Sequence, residues 1–163
     1  MSARRLRQLA AWLAGVWAGA MAGIGFVAAP ALFSTLDRAD AGRVATRLFE
    51  IDAYGGLAFG AALLLLALHR SHDGAASGAS RFNPEMMLSL AALFSIVAGY
   101  FALLPMIESA RGGTPGPSFA MLHGVASAFF LVKVGVVAVL AWRLGAHPVA
   151  PAGAQIKAAA PTS

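Results

Sequence analysis

No cysteine occurs among the 163 residues, and only 12% of them are charged. The first absence excludes disulfides, thiolate metal sites and cysteine nucleophiles. The second leaves too little charge to clothe a soluble domain, in which roughly a quarter of residues are charged. Also missing are a glycine-rich phosphate loop, an HExxH pair, a Ser-His-Asp arrangement and a pair of helical histidines suited to bis-histidine haem. No catalytic residue and no metal-ligand set is therefore assigned. The cofactor stays unknown, and the pattern points away from a dedicated enzyme.

What is present is apolar: 59% of the residues, with strongly positive mean hydropathy. That composition belongs to a membrane protein. The net charge of +5 reflects 10 Arg and 2 Lys against 7 acids, with the basic residues spread mostly over segment ends. They form no nucleic-acid-binding stripe and act first as topology marks, so the expected partner is the lipid bilayer.

Crossing ~30 Å of hydrocarbon takes ~20 apolar residues in a helix. Four segments serve, at about 8–33, 53–69, 85–107 and 119–142. The expected fold is all-α, a four-helix transmembrane bundle forming one domain over 1–144. Asn83 before Pro84, and Ser118, supply helix starts. SHDGAASGASRFN and SARGGTPGPS read as loops, and the Ala/Pro-rich stretch 145–163 as a disordered tail. An N-terminus on the cytoplasmic side puts Arg4, Arg5, Arg7, Arg70, Arg81, Arg143 and Lys157 inside. Arg38, Arg43, Arg47 and Arg111 then lie outside. Seven against four favours N-in and C-in, and the Arg- and Ala-rich composition looks bacterial, so the expected place is a bacterial inner membrane. A signal peptide is the competing reading of the N-terminus, but the apolar run continues to Phe33, too long for an h-region.

The connector after the first span carries unusual charge. Asp40, Arg43, Arg47 and Glu50 share one helical face, while Ala41, Val44, Leu48 and Ile51 share another. This predicts a short interfacial amphipathic helix capped by Asp37 and running into the second span. Its charges pair at i, i+3, as Asp40 with Arg43 and Arg47 with Glu50.

Gly15, Gly19 and Gly23 form two overlapping GxxxG units that allow close helix approach, within the bundle or in a homo-oligomer or with a membrane partner. GFVAAPALF and GYFALLPMI end the first and third spans, with Pro30 and Pro105 in similar places, a faint parallel repeat.

PALF, a connector of about a dozen residues, AGRVATRLF, and later FAMLHGVAS resemble the bacterial membrane proteins of domain-of-unknown-function family 4149, to which eukaryotic transmembrane protein 205 is similar. The resemblance runs from about Trp12 to Leu144. It matches Phe33, Gly42, Leu48 and Phe49 to one motif, and His123, Gly124 and Ser127 to a second. Ala126 replaces a usual Ser, and Phe129-Phe130 stand where relatives can carry a polar Asn. The resemblance implies a four-helix membrane protein without an agreed reaction.

Polar groups gather at the outer ends of spans two to four: Arg47, Glu50, Asp52, Tyr54, Tyr100, Glu108 and His123. They make a candidate site for an ion or small molecule. For His123 alone, a hydrogen bond across helices is the competing reading. Lys133 is the one charge deep inside a span, at an insertion cost of ~2.5–3.5 kcal/mol. No acid matches its depth, and Ser95 is the nearest polar candidate. Lys133 lies opposite Gly124, Ser127 and Gly135; if that small face packs, the lysine points to lipid or to a partner subunit. The leading expectation is a small-molecule or ion-handling or accessory membrane module. A haem- or metal-binding membrane oxidoreductase, and a structural subunit associating through Gly15, Gly19 and Gly23, are the alternatives.

Overall fold

The computed structural model describes residues 3–75, 83–113 and 116–146. They form six α-helices and two π-helical segments: α1 Ala3–Ala22, a π-segment Gly23–Ala28, α2 Ala29–Thr35, α3 Arg38–Ala75, α4 Pro84–Ile96, a π-segment Val97–Ala102, α5 Leu103–Arg111 and α6 Phe119–Gly145. No strand occurs among the described residues. Because α1 and α4 run directly through their π-segments into α2 and α5, the helices make four continuous rods, each long and apolar enough to cross a membrane. The protein is a multi-pass membrane protein built as an all-α bundle.

The predicted caps form. Asn83 accepts from the Met86 N–H at 2.8 Å and Ser118 from the Met121 N–H at 3.2 Å, and Asp37 Oδ1 accepts from the Ala39 and Asp40 N–H groups, both at 3.0 Å. Each satisfies a donor that a helix start leaves open. The charged connector runs into the second span, as expected. It is the opening of α3, whose 38 residues continue without a break into and past the second span. Its inward stripe differs from the expected one. Ala41, Ala45 and Asp52 are buried and Leu48 half-buried, at spacings of four, three and four, while Val44 and Ile51 are exposed. The second span extends through Ala75, into the stretch read as loop. The expected tail from 147 onward and most of the connection 76–82 lie outside the described residues.

Pro30 and Pro105 follow the two π-segments. A proline has no N–H to donate and its ring crowds the carbonyl four residues back, Phe26 or Phe101. The π-turn absorbs that defect, as Ala29 N–H reaches the Ile24 carbonyl five residues back. The faint repeat thus has a structural counterpart in both hairpins.

The first span packs against the second and fourth, and the third against the same two. The second and fourth therefore face each other across the diagonal of the bundle. Arg7 closes one end: its guanidinium donates to the carbonyls of Leu144 at 3.0 Å and Arg143 at 2.9 Å, capping the C-terminus of α6. At this basal end Arg70 and Glu85 also pair at 2.6 Å, both side chains largely buried, and Trp12 and Trp142 are exposed as interface anchors. The opposite, connector end carries the turns around Leu36–Asp37 and 112–118.

Lipid is as apolar as leucine, so helices in a bilayer associate through close fit rather than through hydrophobic burial. Here the fit is large into small. Trp17 and Ile96 close on Gly56, where an added Cβ would lie 2.9 Å from Ile96 Cδ1 and 3.2 Å from Trp17 Cζ2; Leu93 closes on Gly60, 2.6 Å from its Cδ2. Gly15, Gly19 and Gly23, by contrast, have nothing within 4 Å. Gly56 and Gly60 of the second span, not the GxxxG glycines of the first, take up these large side chains.

Candidate functional site

Asp52 ends the inward stripe of α3, and Lys133 sits on the inward stripe of α6 with Leu122, Val137, Leu140 and Leu144. They are the two buried charges among the described residues, 8% and 5% exposed. Lys133 Nζ donates to Asp52 Oδ2, joining the second and fourth spans across the diagonal. The lysine therefore does not point to lipid. The small face of α6 is the outer one: Gly124, Ser127 and Gly135 are exposed, and the glycines have nothing within 4 Å. Ser95 is not its partner either, since its hydroxyl donates to the Ala91 carbonyl at 2.8 Å within its own helix.

Aromatic rings and backbone enclose the pair. Lys133 Nζ lies 5.1 Å from the Phe130 ring centroid, within cation–π range. Phe130 in turn meets Phe49 edge-on at 5.3 Å. On either side, Phe130 and Phe129 fill notches in the two π-segments. A Cβ on Gly25 would fall 2.5 Å from Phe130 Cε1, and one on Gly99 2.5 Å from Phe129 Cβ. The two phenylalanines that depart from the expected family pattern are thus what the glycines of the repeat receive.

The remaining candidate residues divide into two groups at the connector end. Arg47 pairs with Glu50 at 2.7 Å, and Tyr100 lies in electrostatic range of Glu50, Glu108, Tyr54 and Arg47, so these five gather between the second and third spans. His123 is exposed and stacks on Phe119 at 5.6 Å with the rings 10° apart, while Arg111 lies over the Phe119 ring, 5.1 Å from its centroid. Asp52 and His123 accordingly have different partners. No group of three or more His, Asp or Glu suited to a metal ion occurs among the described residues.

A family model described as a domain of unknown function, DUF4149, matches residues 12–113. The chain belongs to the DUF4149 family. No curated protein and no solved structure matches it. The DUF4149 match includes Asp52, Phe49 and both glycine notches but stops before the fourth span, so Lys133, Phe129 and Phe130 lie beyond it. Of the positions expected from the resemblance to form its first motif, Phe33 is exposed, Leu48 half-buried, Phe49 packs on Phe130, and Gly42 borders an open hollow.

Sequence reasoning missed the Asp52–Lys133 pairing, although both residues stood out. The apolar run begins at Ala53, which put Asp52 just outside the membrane and left Lys133 without an acid at its depth. A usable signal was the inward register Ala41, Ala45, Leu48, Asp52, which places the carboxylate on the same stripe as alanines small enough to pack.

Proposed function

We propose that this DUF4149 protein is an ion-handling module of the bacterial inner membrane, with both termini cytoplasmic, in which Asp52 and Lys133 are the working charges. The observation that carries the reading is a buried ion pair at the centre of a membrane bundle. Ionisable groups inside a membrane are costly and characteristically mark ion or proton paths. A proton arriving at Asp52 neutralises the carboxylate and leaves the Lys133 ammonium without its counter-charge in a low-dielectric surrounding. The ammonium must then lose a proton or take another partner, with the Phe130 face already in range. Arg47, Glu50, Tyr100 and Glu108 supply a polar approach from the connector end, and His123 stands at the same end as a further titratable group. The excess of basic residues on the basal side supports the orientation.

The test is proton flux in phosphatidylethanolamine/phosphatidylglycerol liposomes containing a trapped pH dye. Wild-type protein should speed collapse of an imposed pH gradient, and Asp52→Asn and Lys133→Met should each slow it to the rate of empty vesicles. Wild-type vesicles as tight as empty ones would remove the reading.

A second reading, a structural subunit, draws on the open Gly15/Gly19 stripe. If it holds, Gly19→Ile shifts an assembly to monomer in detergent sedimentation without lowering the unfolding temperature. An unchanged sedimentation coefficient would count against it.

A further inference from the structure

At the connector end, between the start of α3 and the end of α5, lies an open hollow of about 500 Å³ lined by Arg38, Ala39, Gly42, Arg43, Thr46 and Arg111. Three guanidiniums from two spans border it, and no carboxylate does. The four arginines at this end differ in how their charge is met. Arg43 pairs with Asp40, and Arg47 with Glu50. Arg38 and Arg111 have no carboxylate partner among the described residues, and both line the hollow.

The two acids at the start of α3 are already committed. Asp37 Oδ1 accepts from the Ala39 and Asp40 N–H groups, and Asp40 holds Arg43. Arg111 rests above Phe119, which orients the guanidinium without neutralising it. The floor is low because Gly42 has no side chain, and nothing lies within 4 Å of where its Cβ would be. A planar guanidinium fork matches phosphate oxygens, and two unmatched forks facing one space favour a group of concentrated negative charge.

We propose that this hollow binds a phosphate-bearing anion, supplied by the headgroup of an anionic phospholipid or as a free phosphate. The site is independent of the Asp52–Lys133 pair, and its fate does not depend on the ion-handling reading.

The full-length protein in detergent is offered phosphatidylglycerol and phosphatidylcholine in equal amounts, and retained lipid is counted by native mass spectrometry. Inorganic phosphate is titrated separately by calorimetry. Arg38→Gln/Arg111→Gln should weaken retention or affinity by about tenfold or more, as expected for loss of charge-assisted hydrogen bonds. Gly42→Glu should do the same by placing a carboxylate in the hollow, while Arg4→Gln/Arg5→Gln, at the basal end, should not. Unchanged unfolding temperatures show that the variants remain folded. Selective phosphatidylglycerol retention lost in both variants assigns a lipid headgroup; phosphate binding lost in both assigns a free anion. Binding of neither probe, or binding that both variants leave intact, overturns the proposal.

Discussion

Lys133 reaches Asp52 across the diagonal of the bundle, bridging two spans that make little other contact with each other. The pair holds the second and fourth spans while the first and third flank it, each notched by a glycine for one of two adjacent phenylalanines. Charge and close packing meet at one level of the molecule.

Breaking this pair from one side should be more harmful than removing it. Asp52→Ala or Lys133→Met leaves a buried charge unmatched and should cost about 3–5 kcal/mol. The double variant Asp52→Val/Lys133→Met should recover most of that loss, because apolar replacement of a buried pair is often close to neutral. Reversible unfolding in mixed micelles measures both. Single variants as stable as wild type would show that the pair is not a latch.

The two notches should respond unequally to an added methyl group. In Gly99→Ala the new Cβ meets Phe129 Cβ, which cannot move without its helix, so a loss of about 1–3 kcal/mol is expected. In Gly25→Ala it meets the far edge of the Phe130 ring, which can tilt, and the loss should be smaller. Gly25→Ala/Phe130→Leu should restore stability. Equal losses in a comparison of unfolding midpoints would contradict the geometry.

Arg70 and Glu85 join the second and third spans at the basal end, with side chains 19% and 15% exposed. Loss of this charge-assisted contact in Glu85→Gln should cost about 1.5–3 kcal/mol. A charge swap, Arg70→Glu/Glu85→Arg, should regain part of it. A double-mutant cycle with zero coupling would place both residues among ordinary surface charges.

The absence of cysteine makes topology directly measurable. Single cysteines at Ser34 or Ser109 should react with an impermeant maleimide added to intact cells, and one at Arg5 should react only after permeabilisation. The reverse pattern would invert the orientation.

Much of the architecture was legible in the chain. Four long apolar runs, the Asn83 and Ser118 caps, and the Asp40–Arg43 and Arg47–Glu50 pairs depend on local spacing, and local spacing is what a sequence displays. The GFVAAPALF and GYFALLPMI echo was visible too, although not the π-turns that accompany its prolines. The site was less legible. His123 and Asp52 were grouped by depth, yet the first turns outward onto Phe119 and the second inward to Lys133. Depth along a helix follows from counting residues, whereas the direction a side chain takes depends on which face its neighbours accept. The same limit explains the glycines: Gly15, Gly19 and Gly23 have the better motif, but Gly56 and Gly60 meet Trp17, Ile96 and Leu93.

The sequence by itself determined that this is a four-span membrane protein, because hydrocarbon demands long apolar helices and leaves few alternatives. It also determined where three of those helices start, at Asp37, Asn83 and Ser118, since caps and prolines act within a turn. Only the tertiary structure decided that Asp52 and Lys133 are partners. That required the rotation of each helix about its axis, and rotation is set by how side chains from four helices fill one another's gaps.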